Sequence, residues 1–248
     1  MASRSRPAQT GRTYGCKRQP NNHCKKTTCQ TGPSTYGNHV CQQVLAGVSH
    51  AQVQEPGQFD YYVLALSWSP SYCAGEGGQS DRQQCEPGRR FAFVVHGLWP
   101  QYVKGWPQYC QTREDWVPQK LIDGMIDVMP SKRLIIHEWK KHGTCSGLSQ
   151  EDYFSSVRQI FEDLRIPARY LSPLDPVIIA PEQLVTDFVK SNKGLTADML
   201  SVQCGNARDQ ARLSELQVCV NKAGSFTACG VNEQRQCKAK TIILPPVK

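Results

Sequence analysis

The apolar positions of this chain fall into short runs from Phe59 onward and are nearly absent before it. YYVLALSWS (61–69) is aromatic and aliphatic, is closed by Pro70, and predicts a buried strand. FAFVV (91–95) predicts a second strand, ending at the histidine of HGLWP (96–100). Between them, residues 74–90 are rich in Gly, Gln and Arg and predict a loop. Residues 115–128 carry Leu121, Ile122, Met125 and Val128 at helical spacing. In SQEDYFSSVRQIFEDL (149–164), Ser149 is a candidate N-cap with Asp152 three positions on, and Tyr153, Val157, Ile160, Phe161 and Leu164 form one stripe. A further helix is expected from Pro181 to near Gly194. LSVQC (200–204), LSELQVCV (213–220) and TIIL (241–244) return to strand character. Strands and helices in separate blocks predict an α+β domain with a central, largely antiparallel sheet flanked by helices.

HEWKKHGTC (137–145) fits neither simple pattern and holds two histidines, a glutamate and two lysines in six positions. On a strand, His137 and Lys141 would face away from Glu138 and His142. On a helix all four lie within an arc of roughly 140°, with Trp139 turned to the core and Gly143 ending the helix. The zinc pattern HExxH needs histidines at i and i+4; here they stand at i and i+5 with Lys141 beside them, so no metal is expected.

Charge changes the picture only at the N-terminus. Residues 1–54 hold seven basic and no acidic residues, leaving 22 of the 29 basic residues against 21 acidic ones in the remainder. The net charge of +8 is therefore weak evidence about what the main domain binds. The twelve cysteines divide as four in the first 41 residues and eight from Cys73 onward, without repeated CxxC pairs. The distal eight read as disulfides made in an oxidising compartment, which places the protein in the periplasm or outside the cell. No run of about 18 apolar residues is present to span a membrane.

Residues 1–43 contain one Leu, Ile, Val or Phe (Val40) and cannot bury a core of their own. VLAGVSHA resembles the end of a signal peptide, with Ser49 and Ala51 at small-residue cleavage positions, yet no apolar stretch precedes it. Residues 1–51 are therefore read as a disordered extension, an aberrant or replaced signal peptide, with a basic arm or a small module stapled by Cys16, Cys24, Cys29 and Cys41 as the alternatives. Residues 52–248 are read as one domain.

The chemistry lies in two segments. In VVHGLWP (94–100) a titratable side chain closes a buried strand beside Trp99, on a rigid element. Two histidines reaching one reacting group suffice for acid–base transfer near neutral pH, and a nearby lysine suits a reaction that accumulates negative charge. With no Walker loop or carboxylate cluster, phosphoryl transfer would have to be metal-independent. RNA permits this because its 2′-OH is an internal nucleophile.

HGLWP and HEWKKHGTC, in this order, resemble the two active-site segments of the ribonuclease T2 family, and FDYYVLALSWSPSYC (59–73) is similar to that family's opening strand. The resemblance runs from about Phe59 to the C-terminus and points to a bacterial, ribonuclease I-like member. It implies His142 as general base, His96 as general acid, Glu138 and Lys141 as stabilisers of the phosphorane, His137 as a phosphate contact and Trp99 as a base-stacking residue. Some bacterial relatives carry Tyr in place of His137. The expected reaction is endonucleolytic cleavage of single-stranded RNA to a 2′,3′-cyclic phosphate, then hydrolysis to a 3′-phosphate, with no cofactor and with DNA left uncut. The same fold could instead bind RNA without turnover. Gln101 stands where some fungal members have Asp, and PSKRLIIH (130–137) is short for their second base pocket, so weak base selectivity is expected. The resemblance further implies the pairs Cys73–Cys85, Cys110–Cys145, Cys204–Cys237 and Cys219–Cys229. A monomer is the default expectation.

Overall fold

Seven of the eight residues of the first strand are buried, because the sheet is covered on both faces at that point. The computed structural model describes residues 54–114, 116–206 and 209–247, so the N-terminal extension, its four cysteines and the cleavage positions lie outside the described residues. The chain runs β1 (Tyr61–Trp68), three short helices α1 (Ser69–Cys73), α2 (Glu76–Gln79) and α3 (Arg82–Cys85), then β2 (Phe93–Gln101) and α4 (Gln119–Asp123). It continues α5 (Lys132–Lys141), α6 (Gln150–Asp163), β3 (Val177–Ile179), α7 (Pro181–Ser191), β4 (Leu200–Cys204), β5 (Gln210–Val220) and β6 (Thr241–Leu244).

These strands form one six-stranded sheet in the order β2-β1-β5-β6-β3, with β4 also paired to β5. All pairings are antiparallel except β5–β6. The fold is thus α+β with a largely antiparallel sheet. The period-2 alternation of β1 sorts its residues between two environments. Tyr62, Leu64, Leu66 and Trp68 join the main core with Leu98, Leu216, Val218 and the apolar stripe of α6. Tyr61, Val63 and Ala65 pack on the other side with Cys219, Trp99 and Cys229. Strand β5 is the second buried spine of the sheet, flanked by both β1 and β4 along Glu215–Val218.

Helix α5 is only ten residues long, too short to persist in water on its own. Ser131 caps it, accepting the Leu134 N–H at 3.4 Å, and Ile135 and Trp139 bury one face in the core. That burial contributes about 1.5–3 kcal/mol for each large apolar side chain. The Trp139 indole N–H also donates to the Glu114 carbonyl at 2.8 Å.

The described cysteines are joined as Cys73–Cys85, Cys110–Cys145, Cys204–Cys237 and Cys219–Cys229. Cys110–Cys145 ties the exit of α5 to the loop after β2, where the Tyr109 N–H also donates to the Lys141 carbonyl at 2.9 Å.

Three expectations change, and one strand was not foreseen. The helix expected over 115–128 is confined to Gln119–Asp123: Pro118 precedes it, Gly124 closes it, and turns then carry Met125 and Val128 into the core. The expected loop 74–90 contains α2 and α3, the latter capped by the Asp81 carboxylate. β2 does not end at His96 but continues through HGLWP to Gln101. β3, three residues between prolines, gave no signal long enough to read.

Replacing Cys110 and Cys145 together by serine should destabilise the fold by about 3–4 kcal/mol, from the loop that the bridge closes. The Cys204–Cys237 pair closes a loop of similar length, 33 residues against 35. Urea unfolding should therefore show comparable losses for the two double variants. RNA cleavage measured below the unfolding transition should fall further for Cys110/Cys145; equal cleavage would show that this bridge does not help place α5.

Candidate active site

His96 owes its position to an irregularity in the β1–β2 ladder. Leu66 pairs with Val95 and Ala65 with Gly97, leaving His96 as the extra residue of a β-bulge. Bulges bend a strand locally and re-aim one side chain. Here the Val95 N–H donates outside the ladder, to the Val128 carbonyl at 2.9 Å. The His96 ring meets two other elements. Its Nδ1 hydrogen-bonds the Glu215 carboxylate of β5, and its Nε2 lies 3.6 Å from Glu138 Oε1 of α5. Its side chain is 35% exposed.

Burial works to lower the His96 pKa. The bond to Glu215, that carboxylate's charge and the Glu138 charge outweigh burial and the opposing Lys141 charge, so the ring stays protonated to higher pH than a free imidazole. Glu215 shows the reciprocal effect: burial acts to raise it, but His96, Gln217 and Ser67 together draw it below the usual carboxylate range.

The second half of the site comes from α5. Glu138 is buried on the side of the helix that faces β2, where Trp99 Nε1 donates to its Oε2 at 2.7 Å. Gly97 makes that approach possible, since a Cβ there would overlap both Glu138 Oε2 and Trp99 Nε1. Burial raises the Glu138 pKa, against the opposing effects of His96, the Trp99 N–H and Lys141.

His142 follows the last helical residue. Its N–H still donates to the Glu138 carbonyl at 2.9 Å, while its φ of −119° takes the chain out of the helix. Gly143 lets the chain pass the Trp139 ring, which a Cβ would overlap. The His142 ring is buried and stacks on the Trp99 indole, centroids 5.3 Å apart and planes at 30°. His96 meets the same indole edge-on at 5.2 Å. His142 Nδ1 is buried and has no hydrogen-bond partner among the described residues. Burial, then the charges of Lys141, His96 and His137, push its pKa down to about 3.

The arc of polar residues expected on the helix is therefore split. His96, Trp99, Glu138 and His142 are brought into direct contact, while His137 is exposed and Lys141 half-buried. The Lys141 ammonium makes no hydrogen bond among the described residues, yet its charge reaches His96, Glu138 and His142. His137 and His96 border a cleft of about 350 Å³ that also takes in Ser67, Tyr72, Gln84 and Arg133. Burial and then the Lys141, His96 and Arg133 charges lower the His137 pKa.

Sequence reasoning missed Glu215. The available signal was an acidic residue inside the strand LSELQVCV with Gln217 two positions on, a period-2 polar face on an otherwise buried strand. What that face would meet depends on the β1–β5 register, which pairs Glu215 with Ser67.

Two imidazoles with opposite protonation preferences, flanked by a lysine and two carboxylates, form a site equipped for acid–base transfer between a donor and an acceptor oxygen. The Ribonuclease T2 family model matches residues 59–229, and the chain belongs to that family of RNA-cleaving enzymes. A ribonuclease of Aeromonas hydrophila is 41% identical over 182 residues, covering 69% of this chain and 76% of the relative. Among solved structures, the S-like ribonuclease trichomaglin superimposes with a TM-score of 0.60 at 19% identity, over 77% of this chain and all of that one. RNase NT, solved in complex with 5′-AMP, gives a TM-score of 0.51 at 26% identity, over 69% of this chain and 95% of that one. Four disulfides in a member of this family fit a secreted protein, and no described helix is long and apolar enough to cross a membrane.

Gly97→Ala should leave the sheet intact but break the Trp99–Glu138 bond. Loss of one charge-assisted hydrogen bond, about 1.5–3 kcal/mol, should lower the melting temperature, and cleavage should fall at least about tenfold as both histidines lose their shared support. A variant with unchanged melting and unchanged cleavage would show that the indole does not hold the site together.

Proposed function

We propose that this ribonuclease is a secreted, monomeric endonuclease that cleaves single-stranded RNA with little base selectivity, by transphosphorylation without a metal. The opposite electrostatic settings of His96 and His142, on either side of Trp99, carry this reading. His142, held neutral by burial and neighbouring cations, takes the proton of the 2′-OH at its Nε2 as the O2′–P bond forms. His96, held protonated by carboxylates, gives its Nε2 proton to the 5′-oxygen as the P–O5′ bond breaks. The product is a 2′,3′-cyclic phosphate. In the slower second step, neutral His96 takes a proton from water and protonated His142 returns one to O2′, leaving a 3′-phosphate.

Lys141 stabilises the charge that builds on the phosphorane, with Glu138 fixing the Trp99 and His96 geometry from below. His137 meets a phosphate oxygen, and the cleft beside it receives part of a neighbouring nucleotide. The 5′-AMP bound by RNase NT supports a nucleotide ligand for a fold of this kind. Trp99 has its N–H bound to Glu138 and one face against His142, which favours a supporting role over that of a free base platform. We assign catalysis to residues 52–248 and place the protein in the periplasm or outside the cell.

In excess EDTA the full chain should cut single-stranded RNA and leave 2′,3′-cyclic ends, and His142→Ala should lose about 10²–10⁴ in rate. Loss of cutting in EDTA, or detectable cutting of DNA, would overturn the mechanism. The pH dependence of kcat/KM should be bell-shaped. Its acid limb reports His142 becoming protonated and lies below the ordinary imidazole range; its alkaline limb reports His96 losing its proton and lies above it. A rate rising steadily from acid to alkaline pH would refute this pair of roles.

A further inference from the structure

We infer that Glu215 is the positioning residue of the general acid, holding His96 so that the Nε2 proton, and no other, faces the leaving oxygen. This rests on the acid role of His96 proposed above. The argument starts from the bulge. Released from regular pairing, His96 sits on a strand whose own hydrogen bonds do not fix its ring, and an imidazole with two similar nitrogens can donate from either one. Glu215 removes the ambiguity by taking Nδ1. The ring then presents Nε2 toward Glu138 Oε1, 3.6 Å away, at the border of the cleft that His137 also lines.

Glu215 is itself held firmly. It lies where β5 is paired on both edges, opposite Ser67 of β1 and Gln203 of β4, and its side chain is 17% exposed. Ser67 Oγ donates to Oε1 at 3.4 Å and Gln217 Nε2 donates to Oε2 at 3.3 Å. His142 has no equivalent partner, its Nδ1 being unbonded among the described residues. The asymmetry matches the two tasks. An acid must keep a proton until the transition state, and a carboxylate behind the ring also steadies its charged form. When Nε2 gives its proton to the 5′-oxygen, His96 is left as the Nδ1–H tautomer, the one that Glu215 accepts from.

The charged and titratable groups acting on His96 are Glu215 from β5, Glu138, His137 and Lys141 from α5, and His142 beyond Trp99. Removing the Glu215 charge alone should move the alkaline limb of kcat/KM to lower pH, because the remaining cations then weigh more. The acid limb, set by His142, should stay.

The test uses the full chain and two substrates. A dinucleoside phosphate has a 5′-alkoxide leaving group that needs a proton; uridine 3′-(4-nitrophenyl phosphate) loses a nitrophenolate that does not. Glu215→Gln should lower kcat/KM on the dinucleotide by about 10–100-fold, less than the ~10⁴ of a fully buried histidine–carboxylate couple, with KM little changed. The activated ester should be turned over at nearly the unmodified rate, and the His96 ring resonance should titrate at lower pH. Glu215→Asp keeps the charge and shortens the reach, so it should restore the limb and only part of the rate. It also carries the test if Glu215→Gln folds poorly. Full activity of Glu215→Gln on the dinucleotide, or equal losses on both substrates, would overturn the inference. His96→Ala run in parallel separates the two levels: equal losses on both substrates there would overturn the acid role itself.

Discussion

The hydrogen bond from the Trp99 indole to the buried Glu138 carboxylate joins the sheet to the helix that carries half of the site. Taking a carboxylate out of water costs several kcal/mol, and a charge-assisted hydrogen bond recovers only part of that cost. The arrangement therefore persists because the surroundings enforce it. Ile135 and Trp139 pin one face of α5 to the core, Gly97 leaves room on β2, and Cys110–Cys145 with the Tyr109–Lys141 bond fastens the helix exit. The indole has no freedom left: its N–H is bound, one face carries His142 and an edge meets His96. Each histidine is thus referenced to the same rigid plane, so the distance between them is set by packing, not by loop conformation.

From that shared plane the two rings diverge chemically. His96 lies between carboxylates of β5 and α5, whereas His142 is buried among cations at the end of α5. Burial alone would have pushed both toward the neutral form. Two carboxylates reverse the outcome for one ring, and Lys141 reinforces it for the other. Without Glu215 the two imidazoles would be more alike, and the proposed acid–base pair, which holds opposite protonation states at once, needs them different.

Much of this was legible in the sequence, for identifiable reasons. HGLWP and HEWKKHGTC are local signals, and Ser149, Pro181 and the stripe of α6 mark their elements through short-range physics. The paired strands at the chain's end were readable from alternation. What could not be read depends on partners far away in sequence. His96 turns outward because of a register shift against β1, Glu138 and His142 are inward because of where Trp99 stands, and Glu215 matters only because β1, paired to both β2 and β5, brings it within reach of His96. The overlong helix at 115–128 failed differently: its apolar spacing was real, but Pro118 and Gly124 allow one turn of helix before the chain bends, and the same side chains reach the core from turns.

The distribution of charge completes the argument. Residues 55–248 hold nearly equal numbers of acidic and basic side chains, so long-range attraction of a polyanion to this domain is weak. The positive charge that bears on the site is instead aligned: Arg133 and Lys141 stand eight residues apart on α5, about 12 Å of rise, with His137 midway between them. Glu138 and Glu215, which would repel a phosphate in the open, are withdrawn from solvent, and both meet the His96 ring. The carboxylates can therefore tune the histidines without opposing an anion above them. A site with the proposed chemistry must hold negative charge and keep one imidazole protonated, and exposed or half-buried cations with withdrawn carboxylates meet both needs.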